Sequence, residues 1–262
     1  MSPLITLTDL CVSASGTALV KGVSLTIEPG EAVALLGHSG SGKSLTAATI
    51  TGGLSRLLDA TGELVLDGSP VGVSSSIRPP GCVAAVQQDS SSALNPLVPV
   101  AGQLEVPLRH SLSARDAHER AAELLDACGI EDPGRVLRSY PAELSGGQRQ
   151  RVCIALALAC EAKVLVADEP TTALDVVSQA QVLETLAVAR ERAGLALLFI
   201  THDLAAASQV CDRAVVLQAG RIVEEGMFAQ LVESPQHPYT QELVDAVRSQ
   251  PTFGIHRQEA AA

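Results

Sequence analysis

Val33-Ala34-Leu35-Leu36-Gly37-His38-Ser39-Gly40-Ser41-Gly42-Lys43-Ser44-Leu45 is the stretch on which the reading of this chain turns. Four apolar residues run into a loop containing Gly37, Gly40 and Gly42, and Leu45 to Ile50 continues with helix-compatible residues. The pattern predicts strand, glycine loop, helix. Gly37 to Ser44 fits G-x-x-x-x-G-K-[ST]. Glycines in such a loop let backbone N–H groups wrap a polyphosphate, and the following helix N-terminus adds its positive end. Lys43 is placed to hold the β and γ phosphates, and Ser44 to bind Mg²⁺. The chain holds only three lysines, Lys21, Lys43 and Lys163, which makes a chance match at this spacing improbable.

Working outward, Val164-Leu165-Val166-Ala167-Asp168-Glu169 is a short apolar run that ends in two carboxylates. At the end of a strand beside a phosphate loop, Asp168 is the expected Mg²⁺ contact, direct or through water. Glu169 is then the residue expected to accept the proton of an attacking water. Upstream, Leu144-Ser145-Gly146-Gly147-Gln148 opens the apolar run Val152 to Cys160. Ser145 suits a helix N-cap, and the two glycines leave N–H groups accessible.

These three motifs, in this order and spacing, resemble the ATP-binding subunit of an ABC (ATP-binding cassette) transporter. The resemblance covers about residues 4 to 248. It implies an α/β P-loop NTPase fold with a mostly parallel core sheet, an antiparallel β subdomain and an inserted helical subdomain at about 90–160. Residues 1–248 are then one ABC ATPase domain, and 249–262 a tail. ATP and Mg²⁺ are the implied cofactors. Gly37, His38, Ser39, Gly40, Ser41, Gly42, Lys43, Ser44 and Leu45 become the nucleotide loop. Gln88 matches the Q-loop glutamine that reaches the metal, although Gln87 adjoins it and the register between the two stays open. Ala173-Leu174-Asp175 matches the D-loop, and His202 in Thr201-His202-Asp203 the switch histidine beside the γ-phosphate. Lys43, Gln88, Glu169 and His202 are the implied catalytic group, and Ser44, Gln88 and Asp168 the metal group. Asp175 also suits a plain helix cap.

The resemblance further implies a head-to-tail dimer with a second ABC ATPase subunit, identical or sibling. ATP on the Lys43 side of one subunit would meet Ser145, Gly146, Gly147 and Gln148 of the other. Two integral membrane permease subunits and, indirectly, an extracellular substrate-binding protein are the remaining implied partners, at the cytoplasmic face of the membrane. Gln88-Asp89 with Leu94-Asn95-Pro96, Tyr140-Pro141, and His237-Pro238-Tyr239-Thr240 resemble the peptide and nickel importer branch. The length, without a cysteine-bearing C-terminal extension, looks closer to nickel or metallophore importer subunits. Uptake of nickel, a metal chelate or short peptides is therefore the expected function. Two departures stand out. Cys11 to Ala18, where the family usually stacks an aromatic on adenine, contains none, and Ser90 replaces a frequent proline. The first predicts weak or base-tolerant nucleotide binding.

Composition sets the outer limits. In 262 residues, 47% are hydrophobic and 2% aromatic, so the core must be built from Ala, Leu, Val and Ile. A net charge of −11 argues against nucleic acid as a partner. The longest apolar run is Val152 to Cys160, too short for the ~20 residues that span a bilayer. Met1 to Asp9 carries no basic segment followed by an apolar one, so no secretory signal is expected. The six cysteines have no zinc-type spacing and are expected to be mostly buried thiols. Helical periodicity over Ala114 to Cys128 marks the helical subdomain. From Lys163 onward strands and helices alternate, as a parallel sheet requires. A second reading, a soluble ABC-type ATPase of an assembly or repair system, is disfavoured by the acidic charge and by the lack of a long insertion between Gln88 and Leu144.

Overall fold

The computed structural model describes residues 2–87, 93–172 and 174–248. Two sheets form the frame. The first is antiparallel, built from β1 (Ile5–Ala14), β2 (Thr17–Ile27), β4 (Asp59–Leu66) and β5 (Ser69–Val71) in the order β2-β1-β4-β5. Its hairpins follow from turn chemistry. Asp67-Gly68, with φ of 49° and 76°, joins β4 to β5, and Ser15-Gly16, at 48° and 81°, joins β1 to β2. Both are two-residue turns with two left-handed residues, whose twist matches that of the flanking strands. Sequence alternation marks only Val23 to Ile27 as strand, whereas β2 starts at Thr17. Alternation is interrupted because the pairing of β1 with β2 shifts register between Leu7 and Leu10, where Asp9 sits at φ 50°, and again between Leu10 and Cys11, where Gly22 of β2 sits at 75°.

The second sheet runs β10-β9-β3-β8-β7-β6, with β3 (Ala32–Leu36), β6 (Val83–Val86), β7 (Val164–Asp168), β8 (Ala196–Thr201) and β9 (Arg213–Gln218) parallel and β10 (Arg221–Met227) an antiparallel edge. Its central strands β3, β7, β8 and β9 are buried on both faces. Ala32, Ala34 and Leu36 of β3 join the core on one side of the sheet with Leu165, Phe199 and Val216. Val33 and Leu35 join the other side with Val166, Leu198 and the β1–β2–β4 layer. Continuous rather than alternating apolar runs are what such a two-faced sheet demands.

Helix α1 (Lys43–Thr51) follows β3 directly, and α2 (Val100–Leu108), α3 (Ala114–Ala127), α4 (Pro133–Arg138) and α5 (Gly146–Ala159) form a helical layer before β7. α3 puts Ala117, Ala121, Leu124 and Leu125 inward, the stripe that its periodicity predicts, and Ser113 caps it by accepting from the Asp116 N–H. α5 is apolar from Val152 to Ala159, and most of that stretch is buried. α6 (Val176–Ala193), α7 (Leu204–Val210), α8 (Phe228–Glu233) and α9 (Pro238–Arg248) complete the chain. Cys82, Cys128, Cys153 and Cys211 are buried; Cys11 and Cys160 are exposed, the first on the outward face of β1. Among the described residues no helix is long and apolar enough to cross a membrane. Residues 249–262 lie outside the described ones.

Candidate nucleotide site

Register brings the ends of three parallel strands together. Leu36, the last residue of β3, pairs with Thr201 of β8, and Asp168, the last of β7, pairs with Ile200. The residues that follow, Gly37, Glu169 and His202, therefore emerge along one edge, where open parallel sheets place their ligands.

The Gly37–Ser44 loop has no room for side chains at its tightest points. A Cβ on Gly37, at φ 150°, would lie 2.3 Å from the Leu217 carbonyl oxygen and 2.7 Å from Ser41 Oγ. Gly42, at φ 108°, is the N-cap of α1 and offers no side chain to its first-turn N–H groups, and that turn carries no acidic residue. Those amides, including those of Ser44 and Leu45, precede the first intrahelical donor, since the helical ladder begins with the Thr46 N–H on the Gly42 oxygen at 3.0 Å. The result is an anion cradle. Lys43 is buried, its Nζ donating to the carbonyl oxygens of Gly37 (2.7 Å) and His38 (3.0 Å). Burial pulls its pKa below the ordinary lysine value, although the negative charges of Glu169 and Asp168 act in the opposite sense.

Asp168 lies against Ser44. Burial raises its pKa above the usual carboxylate value, assisted by the charge of Glu169 and opposed by the Ser44 hydroxyl and Lys43. One of its oxygens, Oδ1, is buried without a hydrogen-bond partner. Ser44 and Asp168 line a cavity of about 240 Å³ together with Ala85, Val86 and Gln87. A buried, unpaired carboxylate oxygen beside a serine hydroxyl and a phosphate cradle fits a small hard cation, which takes oxygen ligands and completes its shell with phosphate and water. Gln88 lies outside the described residues, and Gln87 faces the same cavity.

Glu169 is held on both oxygens: Oε2 accepts from Thr172 Oγ1 at 2.9 Å and Oε1 pairs with His202 Nδ1 at 3.1 Å. Burial raises its pKa, but the Thr172 and His202 hydrogen bonds and the charges of His202 and Lys43 outweigh that, leaving it below the ordinary value. It is thus ionised at neutral pH, which makes His202 Nδ1 the protonated ring nitrogen of this pair. The backbone of Glu169 sits in the left-handed region at φ 47°, pinned by its N–H on the Ile200 oxygen at 2.8 Å. A non-glycine residue in that conformation carries strain, and such strain clusters where a site dictates the geometry.

Ser145 to Gln148 open α5 in the helical layer. Ser145 Oγ accepts from the Gln148 N–H (3.2 Å) and Gln148 Oε1 from the Ser145 N–H (3.1 Å), a capping box at the start of α5. Their neighbour is the turn before α6. A Cβ on Gly146 would approach Leu174 Cδ2 at 3.1 Å, and one on Gly147 would approach Ser178 Cβ at 2.9 Å. Asp175 caps α6, accepting from the Ser178 N–H (2.9 Å) and Oγ (2.7 Å), bonds that keep its carboxyl below the usual range. Sequence reasoning missed Thr172 as the second clamp on Glu169; Asp-Glu-Pro-Thr-Thr offers a hydroxyl three residues on, but only the turn shows which threonine reaches back.

The sequence profile of the ABC transporter family matches residues 20–172, more than half of the chain. The chain belongs to the ABC transporter family. It is 41% identical over 259 residues to the oligopeptide transport ATP-binding protein OppD of Mycobacterium tuberculosis, a match covering 94% of this chain and 42% of that protein. It is likewise 41% identical over 251 residues to the Escherichia coli protein described as "Probable D,D-dipeptide transport ATP-binding protein DdpD", covering 91% and 74%. The chain therefore spans less than half the length of OppD but most of DdpD. Among solved structures, cbiO1 of Clostridium perfringens, part of the ABC transporter complex cbiONQ, superposes with TM-score 0.78 at 26% identity over 95% of both chains. A dimeric ATP-binding cassette in a post-hydrolysis state with ADP and Pi superposes with TM-score 0.72 at 29% identity, over 86% of this chain and 98% of that one. The fold of this ABC transporter family member is that of an ATP-binding cassette, and its family uses ATP with Mg²⁺.

Proposed function

We propose that this chain is the ATP-hydrolysing subunit of an importer, energising uptake of short peptides through membrane permease partners. The observation that carries the chemistry is the convergence, at one strand edge, of the phosphate cradle, the unpaired Asp168 oxygen and the ionised Glu169 clamped by Thr172 and His202. Ser44 and Asp168, with Gln88 or Gln87, are the residues to hold Mg²⁺, which would neutralise phosphate charge. Lys43 holds the terminal phosphates, while Gly37 to Leu45 supply N–H donors. Two of the roughly four lone-pair positions of Glu169 are taken by Thr172 and His202, which leaves it able to accept the proton of a water aligned with the γ-phosphate. His202 fixes that carboxylate; to donate at the same time to a phosphate oxygen its ring would have to carry both protons.

The dimer, permease and cargo assignments rest on the company the chain keeps. A similar cassette is dimeric with its hydrolysis products, and the similar proteins named above are called oligopeptide and D,D-dipeptide transport ATP-binding proteins. Those names favour peptides over the nickel and metal chelates that the resemblance also admits. In the dimer, Ser145, Gly146, Gly147 and Gln148 would close on the nucleotide of the opposite subunit, with Asp175 at the junction. The test is ATPase activity of the chain alone, then in lipid with a permease pair and sibling ATPase, with and without peptide-loaded binding protein. Peptide-dependent stimulation is expected. Vigorous activity that ignores permease and peptide would favour a soluble ABC-type ATPase instead.

A further inference from the structure

We propose that Tyr239 is a positioning residue for the phosphate loop, holding it from outside so that it is ordered before nucleotide arrives. This rests on the reading of Gly37–Ser44 as the nucleotide loop. The Tyr239 hydroxyl accepts the His38 backbone N–H at 2.7 Å, across 201 residues of sequence, and its ring meets the His38 ring edge-on, 5.3 Å between centroids at 67°. Tyr239 is 5% exposed, in the first turn of α9. It also lies well past residue 172, where the family profile match ends.

The turn that presents it is itself anchored. Glu224 on β10 accepts the N–H groups of Gln236 and His237, each at 2.9 Å, and His237 Nδ1 accepts the Tyr239 N–H at 3.2 Å. The hairpin leading into β10 supplies a second hold on the same loop, because Gly220 donates its N–H to the Ser41 oxygen at 3.0 Å. His237-Pro238-Tyr239-Thr240 thus carries a hydroxyl to the first amide of the loop after Gly37. That amide is taken by tyrosine rather than offered to a ligand, so the hydroxyl shapes the loop instead of competing for phosphate. A loop ordered in advance spares the ligand the entropy of ordering it.

Tyr239→Phe removes one oxygen and keeps the ring against His38. In the full chain the KM for ATP is expected to rise about ten-fold while kcat stays within about two-fold, since the bound phosphates hold the loop once in place. Hydrogen exchange of the His38 amide in the nucleotide-free chain should accelerate by a similar factor. A lowered melting temperature with KM unchanged would mean that Tyr239 only stabilises the fold, and would overturn the proposal, as would an equally slow His38 amide in the variant. Wild-type chain that binds ATP no better than Lys43→Ala would instead overturn the functional reading, and the Tyr239 proposal with it; the two failures are therefore distinct.

Discussion

Glu169, the base of the proposed mechanism, is also one of the non-glycine residues held at left-handed φ. Its lowered pKa depends on the Thr172 and His202 hydrogen bonds, so His202→Ala should let it climb back toward the ordinary carboxylate value. The sign follows: hydrolysis needs the carboxylate, so the acid limb of the rate profile should move to higher pH in that variant, read from kcat between about pH 4 and 8. Stability is linked in the same direction, because a depressed carboxylate contributes above its unfolded pKa and loses that contribution as pH falls through the folded value. At φ 47° the backbone favours glycine, so Glu169→Gly should be more stable than Glu169→Ala by about 1 kcal/mol, checked by denaturant titration. The segment where the family resemblance expects the adenine gives a further expectation. β1 and β2 offer Cys11, Val12, Ser13, Ala18 and Val20 around a cavity with no ring to stack on, so ATP and GTP should bind within about ten-fold of each other. Tight selection of ATP over GTP in a competition assay would contradict that.

Elements with strong local signals were legible without coordinates. β3, α1, β7 and α5 follow from apolar runs ending in glycine, carboxylate or N-cap, because backbone geometry there is dictated by nearby residues. The β9–β10 hairpin was not, since its turn is Ala219-Gly220, with alanine at φ 49° where asparagine or aspartate would have announced it. Equally hidden were contacts across long separations, such as Tyr239 on His38 and Gly220 on Ser41. Spacing reveals which residues can form a helix or loop; it says nothing of which distant hydroxyl lands on it. Ser145 as the N-cap of α5 shows the converse, a local pattern readable from neighbouring letters, although the reciprocal bond with Gln148 was not legible there. Packing between α5 and α6 yields its own test. Gly147→Ala would press a methyl group to 2.9 Å from Ser178 Cβ and should cost about 1–3 kcal/mol in urea unfolding by parting the two helix starts.

At the scale of the whole molecule, the parallel sheet works as a rigid shelf that lines up three strand ends, and the segments after β9 return to brace the loop on it. Ser145 to Gln148 stand on the helical layer, packed against the start of α6. The central claim is that Glu169 activates water at a phosphate held by Lys43 and a cation held by Asp168. Its most direct test is phosphate release from Mg²⁺-ATP by wild type and Glu169→Gln side by side, with nucleotide binding measured on the same samples. The account predicts equal binding and a fall of about a hundred-fold or more in turnover. Turnover by Glu169→Gln at the wild-type rate would contradict it.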